Sequence, residues 1–397
     1  MDYNFDTLID RRGTASVKWD LYPGTLPLWV ADMDFQAAPA ILEALRRRME
    51  HGVFGYELVP DSYYRAVSSW FARRHGWPGI TREQLIYTTG VIAGYSACIK
   101  AMTVPGDQVI VQTPCYNAFF PAIRNNGCVQ VNNPLRQRQD GHFVIDWEDL
   151  EQKAAHPRAK VLLLCNPHNP VGRVWTREEL ERIGRICLRH GLFVISDEIH
   201  CELTYPGHDY TPWATLPEEM VRHSASCISP TKAFNIAGIQ IANIFTADPE
   251  IYRKVDRAIN DNECCDVNVF GCAALEAAYD HSEDWLDALR VYLYDNYLYV
   301  KRFLAEELPG ITAPALEGTY LMWLDCRAFL APGEALEGFS ERLSAHLRER
   351  SGLVLSTGTL YGPEGEGRER LNIACPRARL EDALHRLKQG LSTYNHA

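Results

Sequence analysis

The 397-residue chain lacks several features that would place it in other broad classes of protein. No stretch approaches the roughly 20 apolar residues that a membrane-spanning helix needs, and residues 1–6 contain no apolar signal-peptide core. It has no basic tail, and 51 acidic side chains outnumber 40 lysines and arginines, for a formal net charge of −11. This balance argues against nucleic acid as a partner. We therefore expect a cytoplasmic protein with no nucleic-acid or membrane partner.

The twelve cysteines also lack the spacing of a metal site, because no Cys-x-x-Cys pair occurs. The adjacent Cys264 and Cys265 are unsuited to binding zinc. Others, such as Cys98 and Cys187, lie inside apolar runs, where a free cysteine behaves as a small hydrophobic residue. We expect reduced, mostly structural thiols and no metal.

The middle of the chain alternates short apolar runs with amphipathic helices. Residues 108–112, 161–165 and 192–196 are typical of buried strands. Before the last of these, Thr176 and Glu179 form a capping box, which predicts a helix that ends near Gly191. Strand, helix and strand at this spacing predict a parallel sheet with helices on its faces.

The two ends of the chain have a different pattern. Residues up to about 45 contain turns and one helix start at Pro39. From about residue 290 the chain shows a helix, an apolar run at 320–324, and helices near 338–350 and 379–390. The prediction is a smaller α+β domain built from both termini, with residues 1–45 and 289–397 flanking a large domain at 46–288.

One lysine, Lys232, comes shortly after an apolar run and is preceded by the hydroxyls of Ser229 and Thr231. A lysine delivered in this way can form a Schiff base with a carbonyl cofactor while hydroxyls hold a phosphate. Pyridoxal phosphate (PLP) enzymes need that combination. The segment alone is a weak signal, because Ser-x-x-Lys also occurs in acyl-transfer enzymes and on plain surfaces.

Polar side chains upstream supply the partners that such a lysine needs. Asp197 and Asn169 each follow a predicted buried strand, at the sheet edge where ligands bind in open α/β folds. The carboxylate can pair with a protonated pyridine nitrogen, and the amide can donate to a ring oxygen. Tyr116 follows the preceding strand and can stack on a ring. Each residue alone also fits an ordinary role, as a loop carboxylate, a tight turn or a rim tyrosine.

Gly90 lies in a turn that enters a helix predicted over about residues 92–103. A helix N-terminus offers free N–H groups and the positive end of the helix dipole to a phosphate. Every part of a PLP site therefore occurs in one chain order: Gly90, Tyr116, Asn169, Asp197, Ser229 and Lys232.

Five motifs give the chain a resemblance to a known family. They are residues 28–35 (Leu-Trp-Val-Ala-Asp-Met-Asp-Phe), 165–175, 196–200 (Ser-Asp-Glu-Ile-His), 232–238 (Lys-Ala-Phe-Asn-Ile-Ala-Gly) and 370–377. Over nearly its whole length the chain resembles fold-type I PLP enzymes of the aminotransferase class I/II superfamily. The match is closest to the MalY/PatB group of cystathionine β-lyases, which are C–S lyases. The resemblance implies an α/β fold with a mostly parallel seven-stranded sheet.

The resemblance also implies a role for each site residue. Lys232, Asp197 and Tyr116 are the predicted catalytic residues. The implied cofactor contacts are Tyr56, Gly90, Val91, Ile92, Tyr116, Asn169, Asp197, His200, Ser229 and Lys232. Arg370 is expected to grip the substrate α-carboxylate in a bidentate pair, with the Ala31 backbone beside it. Tyr56 is expected to reach the phosphate of the neighbouring subunit of a homodimer, although it also fits an ordinary interface or core tyrosine.

Two departures from the aminotransferase pattern favour elimination over transamination. Gln240 stands where aminotransferases of this fold usually carry a phosphate-binding arginine, and His200 where they usually carry a tyrosine. Both changes are usual in the lyase group. The prediction is a PLP-dependent β-lyase that cleaves L-cystathionine or related L-cysteine S-conjugates to a thiol, such as homocysteine, with pyruvate and ammonia. The alternatives are a PLP aminotransferase for an aromatic or aliphatic amino acid, and a regulatory protein with residual catalysis.

Overall fold

The computed structural model describes residues 3–261 and 266–394. Cys264 and Cys265 lie outside these residues. The ten cysteines inside them are all free and buried. All ten belong to the hydrophobic clusters of the fold, which agrees with the small-hydrophobe interpretation; the reduced state stays a prediction.

The β-strands of the described residues are β1 (Leu26–Pro27), β2 (Leu85–Thr88), β3 (Gln108–Val111), β4 (Val129–Asn132), β5 (Arg136–Gln137), β6 (Phe143–Val144), β7 (Ala159–Cys165), β8 (Phe193–Asp197), β9 (Ser224–Ile228), β10 (Ala242–Phe245), β11 (Leu321–Asp325), β12 (Leu353–Val354), β13 (Ser356–Thr357) and β14 (Arg368–Asn372). The α-helices of the same residues are α1 (Val17–Asp20), α2 (Pro39–His51), α3 (Asp61–His75), α4 (Val91–Met102), α5 (Phe119–Asn125), α6 (Trp147–Ala154), α7 (Arg177–His190), α8 (Glu218–Val221), α9 (Pro249–Asn260), α10 (Val269–His281), α11 (Glu283–Glu307), α12 (Phe339–Ser351) and α13 (Arg377–Tyr394).

The largest sheet has seven strands in the order β2-β10-β9-β8-β7-β3-β4. Strand β10 is antiparallel to both of its neighbours, and the other pairs are parallel. The predicted strands at 108–112, 161–165 and 192–196 are β3, β7 and β8, each within two residues of its predicted bounds. The prediction of a mostly parallel seven-stranded sheet is confirmed.

Side chains on the two faces of this sheet enter separate hydrophobic clusters. In β7, Val161 and Leu163 pack into one cluster while Leu162 and Leu164 pack into the other. The side chains of a strand alternate between its faces, so an all-apolar strand needs a cover on both sides. Helix α4 covers one face, and α7 packs on the opposite one.

Helix α7 shows how a local sequence sets its own ends. The Thr176 hydroxyl accepts from the Glu179 N–H at 3.2 Å, and the Glu179 carboxylate accepts from the Thr176 N–H at 2.9 Å, which completes the predicted capping box. Gly191 ends the helix in the left-handed region, at φ 69°, where glycine is favoured because it has no Cβ. No helix in these described residues is both long and apolar enough to cross a membrane.

The smaller α+β part joins both ends of the chain. Strands β11, β14 and β13 form an antiparallel sheet, and β1 pairs in parallel with β12. The helix predicted from about residue 290 is α11, which begins earlier, at Glu283, with two acidic residues in its first turn that favour the positive end of the helix dipole. The pairing of β1 with β12 places the N-terminal segment in this smaller part, while the exact domain boundaries remain predictions.

Candidate active site

The central strands of the large sheet present polar side chains at their carboxyl ends. Cys165, the last residue of β7, lies opposite Asp197, the last residue of β8. Asp197 is thus the last residue of the strand itself, whereas the sequence pattern predicts it directly after the strand. The turn after β7 carries Asn169, and the segment after β9 leads to Lys232. Because these strands are parallel, their chemistry-bearing side chains meet at one edge.

A cavity of about 340 Å³ lies at this edge. The predicted site residues that line it are Ala31, Gly90, Val91, Ile92, Tyr116, Asn169, Asp197, His200 and Lys232. The lining residues that were not among the predicted contacts are Thr89, Ala93, Cys165, Ile199, Thr231, Ala237, Gln240 and Ile241. Residues separated by up to 210 positions therefore share one cavity.

The N-terminus of α4 forms one end of the cavity wall. Gly94 N–H makes the first intrahelical bond, to the Gly90 carbonyl at 3.0 Å, so the N–H groups of Val91, Ile92 and Ala93 have no acceptor within the helix. Helix α4 packs closely on the sheet, because a Cβ at Gly94 would lie 3.1 Å from Ile244 Cγ1. These free N–H groups and the helix dipole suit a phosphate.

Asp197 is a buried carboxylate with little local compensation. Its Oδ1 accepts from the Ile199 N–H at 3.1 Å. Burial raises the pKa of Asp197 to about 7, the Ile199 hydrogen bond opposes that rise, and the neighbouring Glu198 adds to it. A carboxylate held in this way gains most from a cationic partner inside the cavity.

Lys232 presents a free amine to the same cavity. Its Nζ donates to the Ala31 carbonyl oxygen at 2.6 Å. The pKa of Lys232 is lowered to about 8, first by burial and then by the positive charge of Arg370, while Asp32 and Asp197 act in the opposite direction. The amine therefore loses its proton more readily than an ordinary lysine, as a Schiff-base lysine or a general base requires.

Two aromatic side chains of the cavity stay neutral near pH 7. Burial holds the pKa of His200 well below its usual value, and the charges of Lys232 and Arg370 act in the same direction. Burial also raises the pKa of Tyr116 to about 12, with Asp197 adding to the effect. Neither side chain brings a charge that would compete with Asp197 or Lys232.

Arg370 lies behind the cavity wall, on β14. It is buried, its Nη1 donates to Asn169 Oδ1 at 3.1 Å, and its Nη2 donates to the Trp29 carbonyl at 2.7 Å. The guanidinium also lies 4.8 Å from the centre of the Tyr361 ring. Within the described residues its Nε has no hydrogen-bond partner, so it retains donor capacity for an anion. Asn169 accepts through its oxygen, which leaves its amide N–H free to donate.

The Ser229 and Thr231 hydroxyls lie side by side, but only Thr231 lines the cavity. The Ser229 hydroxyl donates to the Ile241 carbonyl at 2.6 Å and lies 2.8 Å from the Thr231 hydroxyl. Thr231 lines the cavity, whereas Ser229 does not appear in its lining. The predicted phosphate contact of Ser229 stays a prediction, and Thr231 is a site residue that the prediction did not select, although its hydroxyl directly precedes Lys232.

Tyr56 is a predicted site residue that lies outside this arrangement. It is 95% exposed and does not line the cavity of its own chain. Its neighbours Val53, Phe54 and Leu58 are also exposed apolar side chains. This placement is compatible with a role in a second subunit, which stays a prediction.

The donor set of the cavity fits pyridoxal phosphate. Free N–H groups at the α4 N-terminus suit its phosphate, the Lys232 amine suits its aldehyde, and the buried Asp197 carboxylate suits its ring nitrogen. Aromatic contact is available from Tyr116. The four requirements are met by backbone and side-chain groups from different parts of the chain, within one cavity.

Comparison with known proteins agrees with this geometry. The protein-family model described as "Aminotransferase class I and II" matches residues 25–387. The chain belongs to the aminotransferase class I and II family.

Individual relatives show which group within this family the chain resembles. The chain is 42% identical over 396 residues to cystathionine beta-lyase PatB of Bacillus subtilis. The aligned region covers 98% of this chain and 100% of that protein. It is 35% identical to protein MalY of Escherichia coli, over 96% of each chain. Among solved structures, the PLP-bound C–S lyase from Staphylococcus hominis superposes with a TM-score of 0.90 at 32% identity, over 98% of this chain and 99% of that one. The predicted resemblance to the cystathionine β-lyase group is confirmed.

Proposed function

We propose that this protein is a PLP-dependent carbon–sulfur β-lyase that cleaves L-cystathionine or a related L-cysteine S-conjugate. The observation that carries the proposal is the meeting of Lys232, Asp197 and the α4 N-terminus in one cavity beside Arg370. The 42% identity to a cystathionine β-lyase over nearly the whole chain supports the reaction class.

In this proposal each residue has one task toward the cofactor. The N–H groups of Gly90, Val91 and Ile92 would hold the phosphate, Asp197 the ring nitrogen, and Asn169 a ring oxygen. Bound PLP supplies an electron sink for the electron pair left when the substrate loses its Cα proton. A negative Asp197 favours the protonated ring nitrogen, which strengthens that sink.

Lys232 would be the general base at Cα. Its pKa of about 8 keeps part of the amine population neutral near pH 7 and leaves its conjugate acid able to return a proton. The proton moves from Cα to Nζ, the Cβ–S bond breaks with its electron pair going to sulfur, and the resulting thiolate takes up a proton to become the thiol. Water then converts the three-carbon fragment to pyruvate and ammonia, so that cystathionine plus water yields homocysteine, pyruvate and ammonia.

Arg370 would orient the substrate. A guanidinium donates two parallel hydrogen bonds to a carboxylate in a fixed plane. Here that plane is held by Asn169 Oδ1, the Trp29 carbonyl and the Tyr361 ring. The Ala31 backbone would lie at the same carboxylate.

The proposed enzyme works as a cytoplasmic homodimer. The exposed apolar segment with Val53, Phe54, Tyr56 and Leu58, the last 87% exposed, supports a subunit interface, because monomers rarely expose such clusters. In the dimer Tyr56 would reach the phosphate site of the other subunit. The free buried cysteines fit the reducing conditions of the cytoplasm. Sedimentation of the wild-type enzyme tests the dimer, and a monomer at assay concentration would contradict it.

The deciding experiment separates elimination from transamination. The purified enzyme is incubated with PLP and L-cystathionine, with and without a 2-oxo acid, and pyruvate, free thiol and new amino acid are measured. Equal release of pyruvate and thiol that does not need the 2-oxo acid supports the lyase. New amino acid without thiol would instead establish an aminotransferase. Lys232→Ala should abolish turnover, and retained lyase activity in that variant would contradict the proposed role of Lys232.

A further inference from the structure

The segment at residues 29–33 forms no strand, yet each of its five carbonyl oxygens accepts a hydrogen bond from a side chain. The Trp29 carbonyl accepts from Arg370, as described above. Asn372 Nδ2 donates to the carbonyls of Val30 and Asp32, both at 2.6 Å. Asn235 Nδ2 donates to the Met33 carbonyl at 3.0 Å. Side chains of β14 and of the loop after Lys232 thus hold the backbone that faces the cavity.

The middle carbonyl of this segment, that of Ala31, accepts from two side chains. Lys232 Nζ donates to it at 2.6 Å, and the Tyr320 hydroxyl donates to it at 2.9 Å. A carbonyl oxygen has two lone pairs, so two donors satisfy it completely. The flexible stem of Lys232 has many rotamers, and this short bond selects one position for the amine.

Tyr320 is itself held rigidly. It directly precedes β11, is fully buried, and packs edge-on against the ring of His200, with ring centres 6.0 Å apart. The residue before it, Thr319, has φ 70°, a left-handed conformation that a β-branched residue rarely adopts. The Tyr205 hydroxyl donates to the Thr319 carbonyl at 2.6 Å. The backbone is therefore bent so that the Tyr320 hydroxyl points at Ala31.

We propose that Tyr320 is a positioning residue for Lys232: its hydroxyl fixes the Ala31 carbonyl, and that carbonyl holds the free amine of Lys232 at the cavity. The free amine is the form in which Lys232 exchanges a proton with Cα. The inference rests on the proposed lyase function in one respect, because it takes Lys232 as the base. The hydrogen-bonded arrangement itself does not depend on the reaction.

Tyr320→Phe tests the proposal, and Tyr63→Phe is its matched control. Both changes remove the hydroxyl of a fully buried tyrosine that donates a hydrogen bond. Tyr63 donates to Asn243 Oδ1 at 2.8 Å, whereas Tyr320 donates to the Ala31 carbonyl. The protein is labelled with [ε-13C]lysine, and the Lys232 signal of the cofactor-free chain is assigned by its loss in Lys232→Ala. In the PLP-loaded enzyme, kcat and the deuterium isotope effect are measured with Cα-deuterated substrate.

We expect the Lys232 signal to move in Tyr320→Phe and to stay in place in Tyr63→Phe. We also expect kcat of Tyr320→Phe to fall roughly tenfold or more, since a small misplacement of a reacting group costs about that much. The isotope effect should rise, because proton removal becomes slower relative to the other steps, whereas a smaller folded fraction would leave it unchanged. An unmoved Lys232 signal in Tyr320→Phe, or an equal movement in both variants, overturns the proposal. Because the Lys232 signal is read without substrate, it tests the positioning role of Tyr320 independently of the lyase assignment.

Discussion

Replacing Lys232 by methionine should stabilise the cofactor-free protein near neutral pH. The same substitution should abolish the activity of the PLP-loaded enzyme. Methionine has a similar unbranched stem and no charge. In the folded chain, burial lowers the pKa of the amine from its usual 10.5 to about 8. This lowering of the pKa corresponds to about 3 kcal/mol of unfavourable free energy for the charged form. The figure is an upper limit, because Lys232 is partly exposed.

The stability difference between Lys232→Met and the wild type depends on pH, because the folded and unfolded wild-type chains bind different numbers of protons at Lys232. Between about pH 8 and pH 10.5 the unfolded chain keeps its Lys232 proton while the folded chain has released it, so the stability of the wild type rises with pH in that window. Below the folded pKa both states are protonated and the full cost is present. The advantage of methionine should thus fall from about 3 kcal/mol near pH 7 to less than about 1 kcal/mol near pH 10. The lost hydrogen bond to Ala31 subtracts about 1 kcal/mol at either pH.

Urea unfolding followed by circular dichroism, at about pH 7 and about pH 10, measures this difference. The control is Lys301→Met, a substitution of an exposed lysine that should show no comparable pH-dependent gain. Equal stability of Lys232→Met and wild type near pH 7, or the same difference at both pH values, would refute the reasoning. Either result would mean that the Lys232 ammonium is not destabilised by its surroundings.

Three further substitutions test other parts of the site. Asp197→Asn keeps the shape but removes the negative charge, so pyruvate production should fall by at least about 100-fold; a change of less than threefold, roughly, would exclude the proposed ion pair. Arg370→Ala should raise KM for cystathionine about 10- to 100-fold, and an unchanged KM in steady-state assays would argue against carboxylate binding. Gly94→Ala places a Cβ 3.1 Å from Ile244 Cγ1 and 3.4 Å from Cys227 Sγ, so thermal unfolding should show a loss of about 1–3 kcal/mol, and an undiminished melting temperature would show that the contact relaxes freely.

Much of the large sheet could be predicted because its signals are local. The apolar runs that became β7 and β8 are long enough to require burial on both faces, and the capping box of α7 acts within four residues. Asp197 and Asn169 were expected at one sheet edge because parallel strands end there, and both line the cavity. The same reasoning selected Ser229 and passed over Thr231, which lines the cavity. The bend of the chain after β9 decides which hydroxyl faces the cavity, and that bend has no signal in the local sequence.

The sequence by itself determined the alternating architecture, the order of the chemical groups and the family, because apolar periodicity, caps and motifs depend on neighbouring residues. Only the tertiary structure decided the surroundings of Lys232. Its partner, the Ala31 carbonyl, is 201 residues away, and the second donor to that carbonyl, Tyr320, is 289 residues from Ala31. The shifted pKa values of Lys232 and Asp197 arise from the burial that this folding produces, and burial by distant segments has no signature in the local sequence.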